Sequence, residues 1–281
     1  MAGRPVHTFE VVRADQLTPH MVRVVLGGAG NGTGFDTFTP IGSTDAYVKL
    51  IFVEDAVDVG TLEEPLTLDS FRGVDHTVRT FTVRRADAQR REIAIDFVVH
   101  GDHGVASAWA GSVTPGKRMF LMGPSGGYTP NPAADWHLLA GDEAALPAIG
   151  AAVEALPDNA IGKVFVEVAG PEDEIDLCAP AGVEVVWIHR GGRADLIGDD
   201  RAGDRAPLVA AVKEAAWLPG QVQVFIHGEA QAVMHNLRPY IRNERGVDVE
   251  WAGSISGYWR RGRTEETFRQ WKRELAESEA K

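Results

Sequence analysis

The chain has 281 residues, 44% of them apolar and 24% charged, and a formal charge of −12. That size fits two domains with cores that need no covalent staples. The single thiol, Cys178, excludes an internal disulfide and a cysteine metal centre, and the acid excess argues against nucleic acid, which needs a positive surface.

Residues 1–10 lack the basic-then-apolar run of a signal peptide, and no later stretch reaches the roughly 18 consecutive apolar residues of a membrane span. A cytoplasmic protein without a transmembrane segment is therefore expected. The first half reads as β. Residues 11–12, 21–26, 47–52, 78–83, 93–99 and 119–122 are short runs rich in Val, Ile, Phe and Thr, separated by glycine and proline turns. Six such runs predict a six-stranded antiparallel Greek-key barrel. Residues 53–75 are acidic and irregular and read as an excursion between strands. The stretch 123–132 (GPSGGYTPNP) reads as a joint, giving domains 1–130 and 131–281.

From Trp136 the rhythm changes. Apolar runs at 137–140, 164–169, 183–188, 222–227 and 247–251 alternate with helical patterns at 144–156, 207–217 and 230–244. Nearly unbroken apolar strands between amphipathic helices predict a doubly wound parallel α/β domain. A C-terminal helix is expected over 264–279, capped by Thr264, with Phe268, Trp271 and Leu275 on one face. Residues 260–281 hold seven Lys/Arg against five Glu, so the sparse positive charge is concentrated there.

Two stretches in the first half carry chemistry. In Arg79-Thr80-Phe81-Thr82, strand alternation puts Arg79 and Phe81 on one face and the threonines on the other. An aromatic ring so placed can cover a flavin and the arginine can neutralise phosphate; a core residue beside a solvated one gives the same pattern. Residues 96–109 (DFVVHGDHGVASAW) run from a strand through a glycine turn into a small-residue helix, where backbone N–H groups point at an anion. In the second half, Gly141-Asp142-Glu143 stands where a dinucleotide fold usually has its glycine-rich phosphate loop. Two carboxylates there either cap the helix or touch a cofactor, and they repel a pyrophosphate laid directly against them.

Together these stretches, with residues 47–50 (YVKL), 79–84 (RTFTVR), 141–148 (GDEAALPA) and 257–262 (GYWRRG), resemble the siderophore-interacting protein family, within the ferredoxin-reductase group of flavoproteins. The likeness spans nearly the whole chain in the family's order and spacing. It implies an FAD-binding barrel, an NAD(P)H-binding-like α/β domain, and transfer of electrons from a nicotinamide donor through FAD to a ferric siderophore. It further implies that Arg79, Thr80, Phe81 and Thr82 hold the flavin and its phosphates. Phe81 stands where many members have Tyr, which keeps the ring and loses the phenol. Asp96, Val98 and His100 would line the phosphate–ribose side. Gly104, Ala106 and Ser107 would bind the pyrophosphate, with Val105 replacing a frequent Pro.

Asp142 and Glu143 are assigned to the cofactor as well, and Tyr258 or Trp259 either covers the flavin or packs internally. Lys49, Arg260, Arg261 and Arg263 are candidates for an anionic ferric complex. No catalytic side chain is required, because an electron crosses without protein–iron coordination. Glu172, Asp173 and Glu174 favour NADH over NADPH, although Arg190 and Arg193 lie where they can compensate a 2′-phosphate. A protein donor such as ferredoxin, another acceptor in the manner of a flavodoxin or ferredoxin reductase, and a non-enzymatic siderophore-binding module are the competing readings.

Overall fold

The computed structural model describes residues 3–27, 34–53, 65–100, 104–193 and 196–279. The chain forms two compact units: Met1–Thr129 with Gly150–Ala152, and Pro130–Ile149 with Val153–Lys281.

The first unit is one antiparallel sheet. Its strands are β1 (His7–Thr18), β2 (Met21–Gly27), β3 (Tyr47–Val53), β4 (His76–Thr82), β5 (Arg85–Asp87), β6 (Glu92–Val98) and β7 (Arg118–Ser125). They lie in the order β4-β3-β7-β1-β2-β6-β5. The two ends of that order, β4 and β5, are separated in the chain only by Val83 and Arg84, a reach of ~11 Å at most. The sheet therefore closes on itself, and the Arg84 N–H donates to the Ala94 carbonyl of β6 at 2.9 Å. Among the described residues there are seven strands where six were expected, because β5 is only three residues, Arg85-Ala86-Asp87, too short to show an apolar alternation. β1 is far longer than residues 11–12, since His7–Glu10 pair with β7 and Glu10–Thr18 with β2.

Phe9, Val24, Leu26, Leu50, Ile93, Ile95, Phe97 and Leu121 are fully buried inside this sheet. Each such side chain contributes about 1.5–3 kcal/mol relative to exposure. Part of the expected excursion is ordered packing: Leu66 and Phe71 join Ile51 and Phe120 in a small second core. Residues 54–64 of it lie outside the described residues, as do the glycines of 28–33. Two short helices belong here, α1 (Gly34–Thr37) and α2 (Val105–Ser112).

The second unit has five parallel strands: β8 (Trp136–Asp142), β9 (Gly162–Val168), β10 (Val183–His189), β11 (Val222–Glu229) and β12 (Ser254–Trp259), in the order β10-β9-β8-β11-β12. The chain winds outward from β8 to β10 and then returns to the other side of β8. The β8/β11 boundary is thus the topological switch point, whose carboxyl-end crevice is where such sheets bind ligands. The helices are α3 (Leu146–Glu154), α4 (Pro207–Glu214), α5 (Ala230–Ala232) and α6 (Glu265–Glu279); α5 runs on into wider turns at Val233–Leu237 and Tyr240–Glu244. Phe268 of α6 is buried, with Trp271 and Leu275 packed beside it on the core.

Residues 247–251 are not the last strand. Asp248 accepts turn hydrogen bonds from the Trp251 and Ala252 N–H groups, and β12 follows at Ser254. Its inward positions are Ile255 and Gly257, and a Cβ on Gly257 would lie 2.5 Å from that of Ala230 and 3.2 Å from the Phe268 ring. Close approach demands a glycine there, which hides the strand's apolar pattern.

Candidate functional site

In the first unit, β4 pairs with β3 so that Lys49 faces Thr80, Tyr47 faces Thr82, Val48 faces Phe81 and Leu50 faces Arg79. Directly opposed residues share a side of the sheet, so Lys49 and the exposed Thr80 stand together on the outer face. Thr82 is buried, and Arg79 is half-buried with Nη1 donating to the Val78 carbonyl at 2.9 Å. The Phe81 ring lies 4.5 Å from Phe97, which in turn lies 5.5 Å from Trp109. This aromatic row fixes one side of Phe81 while leaving the residue half-exposed.

Asp96 is buried, and both its oxygens accept from Arg23, at 2.6 and 2.8 Å. It is thereby held in a bidentate ion pair. Two residues beyond β6, the His100 N–H donates to Ser107 Oγ at 3.0 Å. His100 Nδ1 is buried and has no hydrogen-bond partner among the described residues. Gly104 caps α2 with φ +84°, no side chain among the described residues caps the helix, and its first turn carries no acid. An added Cβ at Gly104 would meet nothing within 4 Å, so it is the backbone angle that calls for glycine. Half-buried Val98 precedes this turn, and Ala106 and Ser107 open the helix. His103 lies outside the described residues.

In the second unit, the carboxyl ends of the strands hold a buried ionic network. Arg190 Nη1 donates to Glu143 at 3.0 Å and to Glu167 at 3.2 Å, and Nη2 also donates to Glu143. Glu167 accepts the Leu208 N–H at 2.7 Å. Burial alone would lower the Arg190 pKa, but the hydrogen bond and charge of Glu143, with Glu167, outweigh it and raise it. Burial raises Glu167 in turn. Arg190, expected to compensate a 2′-phosphate, is only 2% exposed and engaged by these two acids. Topology, not sequence proximity, brings them together.

Asp142 is the second centre. Oδ1 accepts the Ala144 N–H at 3.0 Å, while Oδ2 accepts the Glu229 N–H at 2.8 Å and Trp259 Nε1–H at 2.7 Å. Burial, aided by the neighbouring Glu143 charge, pushes its pKa up to about 7 against the pull of the Trp259 donor. Gly228, with φ +142°, leaves room for it: a Cβ there would lie 2.7 Å from Oδ2. One carboxylate thus ties the ends of β8, β11 and β12.

Glu229 was not foreseen. It caps α5 by accepting from the Gln231 and Ala232 N–H groups and also accepts from Arg260 Nη1 at 3.1 Å. Arg261 Nη1 donates to Asp199 at 2.6 Å. Arg260 is thus paired in a largely buried setting, with its guanidinium also 5.2 Å over Trp271, whereas Arg261 pairs at the surface with exposed Asp199. Arg263 is exposed on the turn before α6. Tyr258 stacks on His227 at 4.4 Å, and His227 on Phe225 at 4.4 Å. His227 is buried, with Nε2 3.0 Å from Ser254 Oγ, and burial drives its pKa down to about 3. The acid-after-glycine ending of β11, His227-Gly228-Glu229, was the available signal for both residues.

Residues 10–128 match the family model described as Siderophore-interacting FAD-binding domain, and residues 134–262 the one described as Siderophore-interacting protein. The ferric vibriobactin reductase ViuB of Vibrio cholerae is 32% identical over 92% of this chain and 91% of its own. The chain belongs to the siderophore-interacting protein family. A family member of known structure, a siderophore utilization protein from T. fusca, matches with TM-score 0.76 at 34% identity, covering 94% of this chain and 96% of that one. The NADPH-dependent ferric-chelate reductase of Escherichia coli is 33% identical over 54% of this chain and 57% of its own.

The first unit's donor set fits the FAD that the family's domain name implies. A helix start without a side-chain cap among the described residues, a hydroxyl at Ser107 and an orphaned imidazole nitrogen at His100 suit a pyrophosphate, while Phe81 on β4 offers a half-exposed ring linked through Phe97 to Trp109 of that helix. Among the described residues no helix is long and apolar enough to cross a membrane.

Proposed function

We propose that this chain is an FAD-dependent reductase that takes electrons from a reduced nicotinamide dinucleotide, NADH ahead of NADPH, and delivers them to Fe(III) held in a siderophore, freeing Fe(II) in the cytoplasm. The observation that carries this reading is the buried His100 Nδ1, which has no partner among the described residues, beside an α2 start that none of them caps. A buried polar atom left unpaired costs about 1–3 kcal/mol, and a bound phosphate removes that cost.

In this reading residues 1–130 hold FAD. Gly104, Ala106, Ser107 and His100 take its phosphates, Arg79 adds charge, and Phe81 on one face of β4 and Thr80 and Thr82 on the other help to hold the flavin. Val98 and the Arg23–Asp96 pair frame the ribose side. Bound FAD supplies the exchange between a two-electron donor and a one-electron acceptor. Lys49, beside Thr80 on the outer face, and exposed Arg263 attract an anionic ferric complex; Arg260 and Arg261 shape that end of the chain through their partners Glu229 and Asp199. Tyr258, presented by the His227 ring, is the aromatic assigned to cover the flavin, whereas the Trp259 indole N–H is committed to Asp142.

Residues 131–281 receive the donor. A protein donor such as ferredoxin is the second reading, favoured by one observation: the turn after β8 offers Asp142 and Glu143, engaged with Trp259 and Arg190, where a pyrophosphate would need N–H groups.

The test is the visible spectrum of the purified chain with FAD, before and after anaerobic NADH, and then with a ferric siderophore. Flavin bands that bleach with NADH and return as Fe(II) forms support the reductase reading. Bands that ignore NADH and NADPH, yet recover with ferric siderophore after chemical reduction, favour the protein donor. Absence of flavin bands overturns the proposal.

A further inference from the structure

Doubly wound sheets normally cover each outer strand with the helix of its crossover. Between β9 and β10 the chain has only the short turn Pro171–Asp173 and irregular backbone with turns, so no helix of this crossover shields β10, the edge strand of its sheet. Val185, Trp187 and His189 alternate onto one side of that strand. The run Glu174–Leu177 forms the opposite wall and is fastened by a 2.7 Å hydrogen bond between Glu174 Oε1 and His189 Nε2. The groove between them measures about 410 Å³ and is lined by Glu174, Ile175, Asp176, Leu177, Val185 and Trp187, a volume within the range of small-molecule sites.

We propose that this groove binds the adenosine end of the nicotinamide dinucleotide, an inference that rests on the nicotinamide-donor reading above. Three features select that occupant. The half-buried Trp187 indole, with Leu177 and Val185, offers a flat apolar surface to a purine. The two carboxylates are acceptors only, which matches the amine and ribose hydroxyl donors of adenosine. None of the six lining residues is basic, so a 2′-phosphate brought here would meet the carboxylates of Asp176 and of Glu174, the latter hydrogen-bonded to His189. β10 also neighbours β9, whose end carries the ribose-binding acid in dinucleotide folds. Because the turn after β8 gives a pyrophosphate little hold, the adenosine end must supply much of the affinity.

The experiment titrates the FAD-loaded full chain with ADP-ribose and with 2′-phospho-ADP-ribose by calorimetry, in wild type, Trp187→Ala and Asp176→Lys. Wild type is expected to bind ADP-ribose at least tenfold more tightly than its 2′-phosphate. Trp187→Ala should lose roughly tenfold in ADP-ribose affinity. In turnover it should raise the KM for NADH with kcat unchanged, the sign of lost uniform binding. Exposed Asp176→Lys, which leaves the core untouched, should narrow or reverse the discrimination against the 2′-phosphate. Equal affinity of wild type for the two probes, or ADP-ribose affinity unchanged in folded Trp187→Ala, overturns the groove. If Trp187→Ala does not fold, unchanged discrimination in Asp176→Lys does so. A wild type that reduces ferric siderophore with NADH but fails these tests leaves the reductase reading standing; one that binds no FAD removes that reading independently.

Discussion

Replacing Asp142 by asparagine tests the knot at the switch point, because the two side chains have the same shape and differ in what they accept. The carboxylate takes three N–H donors, one on Oδ1 and two on Oδ2. An amide has one acceptor oxygen, so Asp142→Asn must point its NH₂ at the Ala144 N–H or at the Glu229 and Trp259 pair. At least one buried donor then loses its partner, which costs about 1–3 kcal/mol.

The wild type carries an opposing term. Its carboxyl moves from 3.8 to about 7 on folding, a change worth ~4 kcal/mol at most. The native state holds this proton more firmly than the unfolded chain between those values. The corresponding stability is therefore complete below about pH 4 and is lost as pH rises through about 7. Asp142→Asn has no such slope. Urea unfolding followed by tryptophan fluorescence at pH 5, 6, 7 and 8 should show the variant gaining stability relative to wild type as pH rises from 5 to 8. Other titrating groups are common to both proteins and cancel in the difference. Parallel stability curves would refute the argument that Asp142 ionises against burial.

Arg190→Met leaves Glu143 and Glu167 buried without their cation and should cost about 3–5 kcal/mol at pH 7. That loss should shrink at low pH as Glu167, whose pKa burial raises, takes up its proton, read from melting temperatures across pH. His227→Phe keeps a ring between Phe225 and Tyr258 but removes a histidine that folding drives to about 3. Wild-type stability from this group is present above about pH 6.5 and lost as pH falls toward 3, by ~5 kcal/mol at most; the variant's acid limb should be flatter. His100→Ala should raise the FAD dissociation constant roughly tenfold, about 1.4 kcal/mol, with an unchanged circular dichroism spectrum. Equal FAD affinity would remove His100 from the cofactor site.

The elements easiest to read from sequence were those whose inward positions are large and apolar, such as β3 and β6 with Leu50, Ile93 and Phe97, or β9 with Val164 and Val166. β12 escaped because its inward pair is Ile255 and Gly257, and the glycine exists to let Ala230 and Phe268 approach. β5 escaped because three residues, two of them charged, are too few to show a period. At the site, Arg79–Thr82 and Gly104–Ser107 were visible as local patterns on a strand and a helix start. The fates of Arg190, Arg260 and Arg261 were not, since each is decided by a carboxylate from another part of the chain: Glu143 and Glu167, Glu229, and Asp199. Sequence displays a charge, and only the fold shows whether it is spent internally.

The closure of the first sheet through Val83 and Arg84 has a mechanical side. β4 is laddered to β3 along one edge, and no strand pairing is formed along its other edge among the described residues. The seam of the barrel therefore runs beside Arg79–Thr82, the strand assigned to the flavin. A ligand seated there acts as a keystone, closing a joint that backbone hydrogen bonds leave open. The melting temperature of this unit should then climb with FAD concentration, as for any ligand bound by the native state alone. A chain emptied of cofactor would begin to open along that seam rather than at its core.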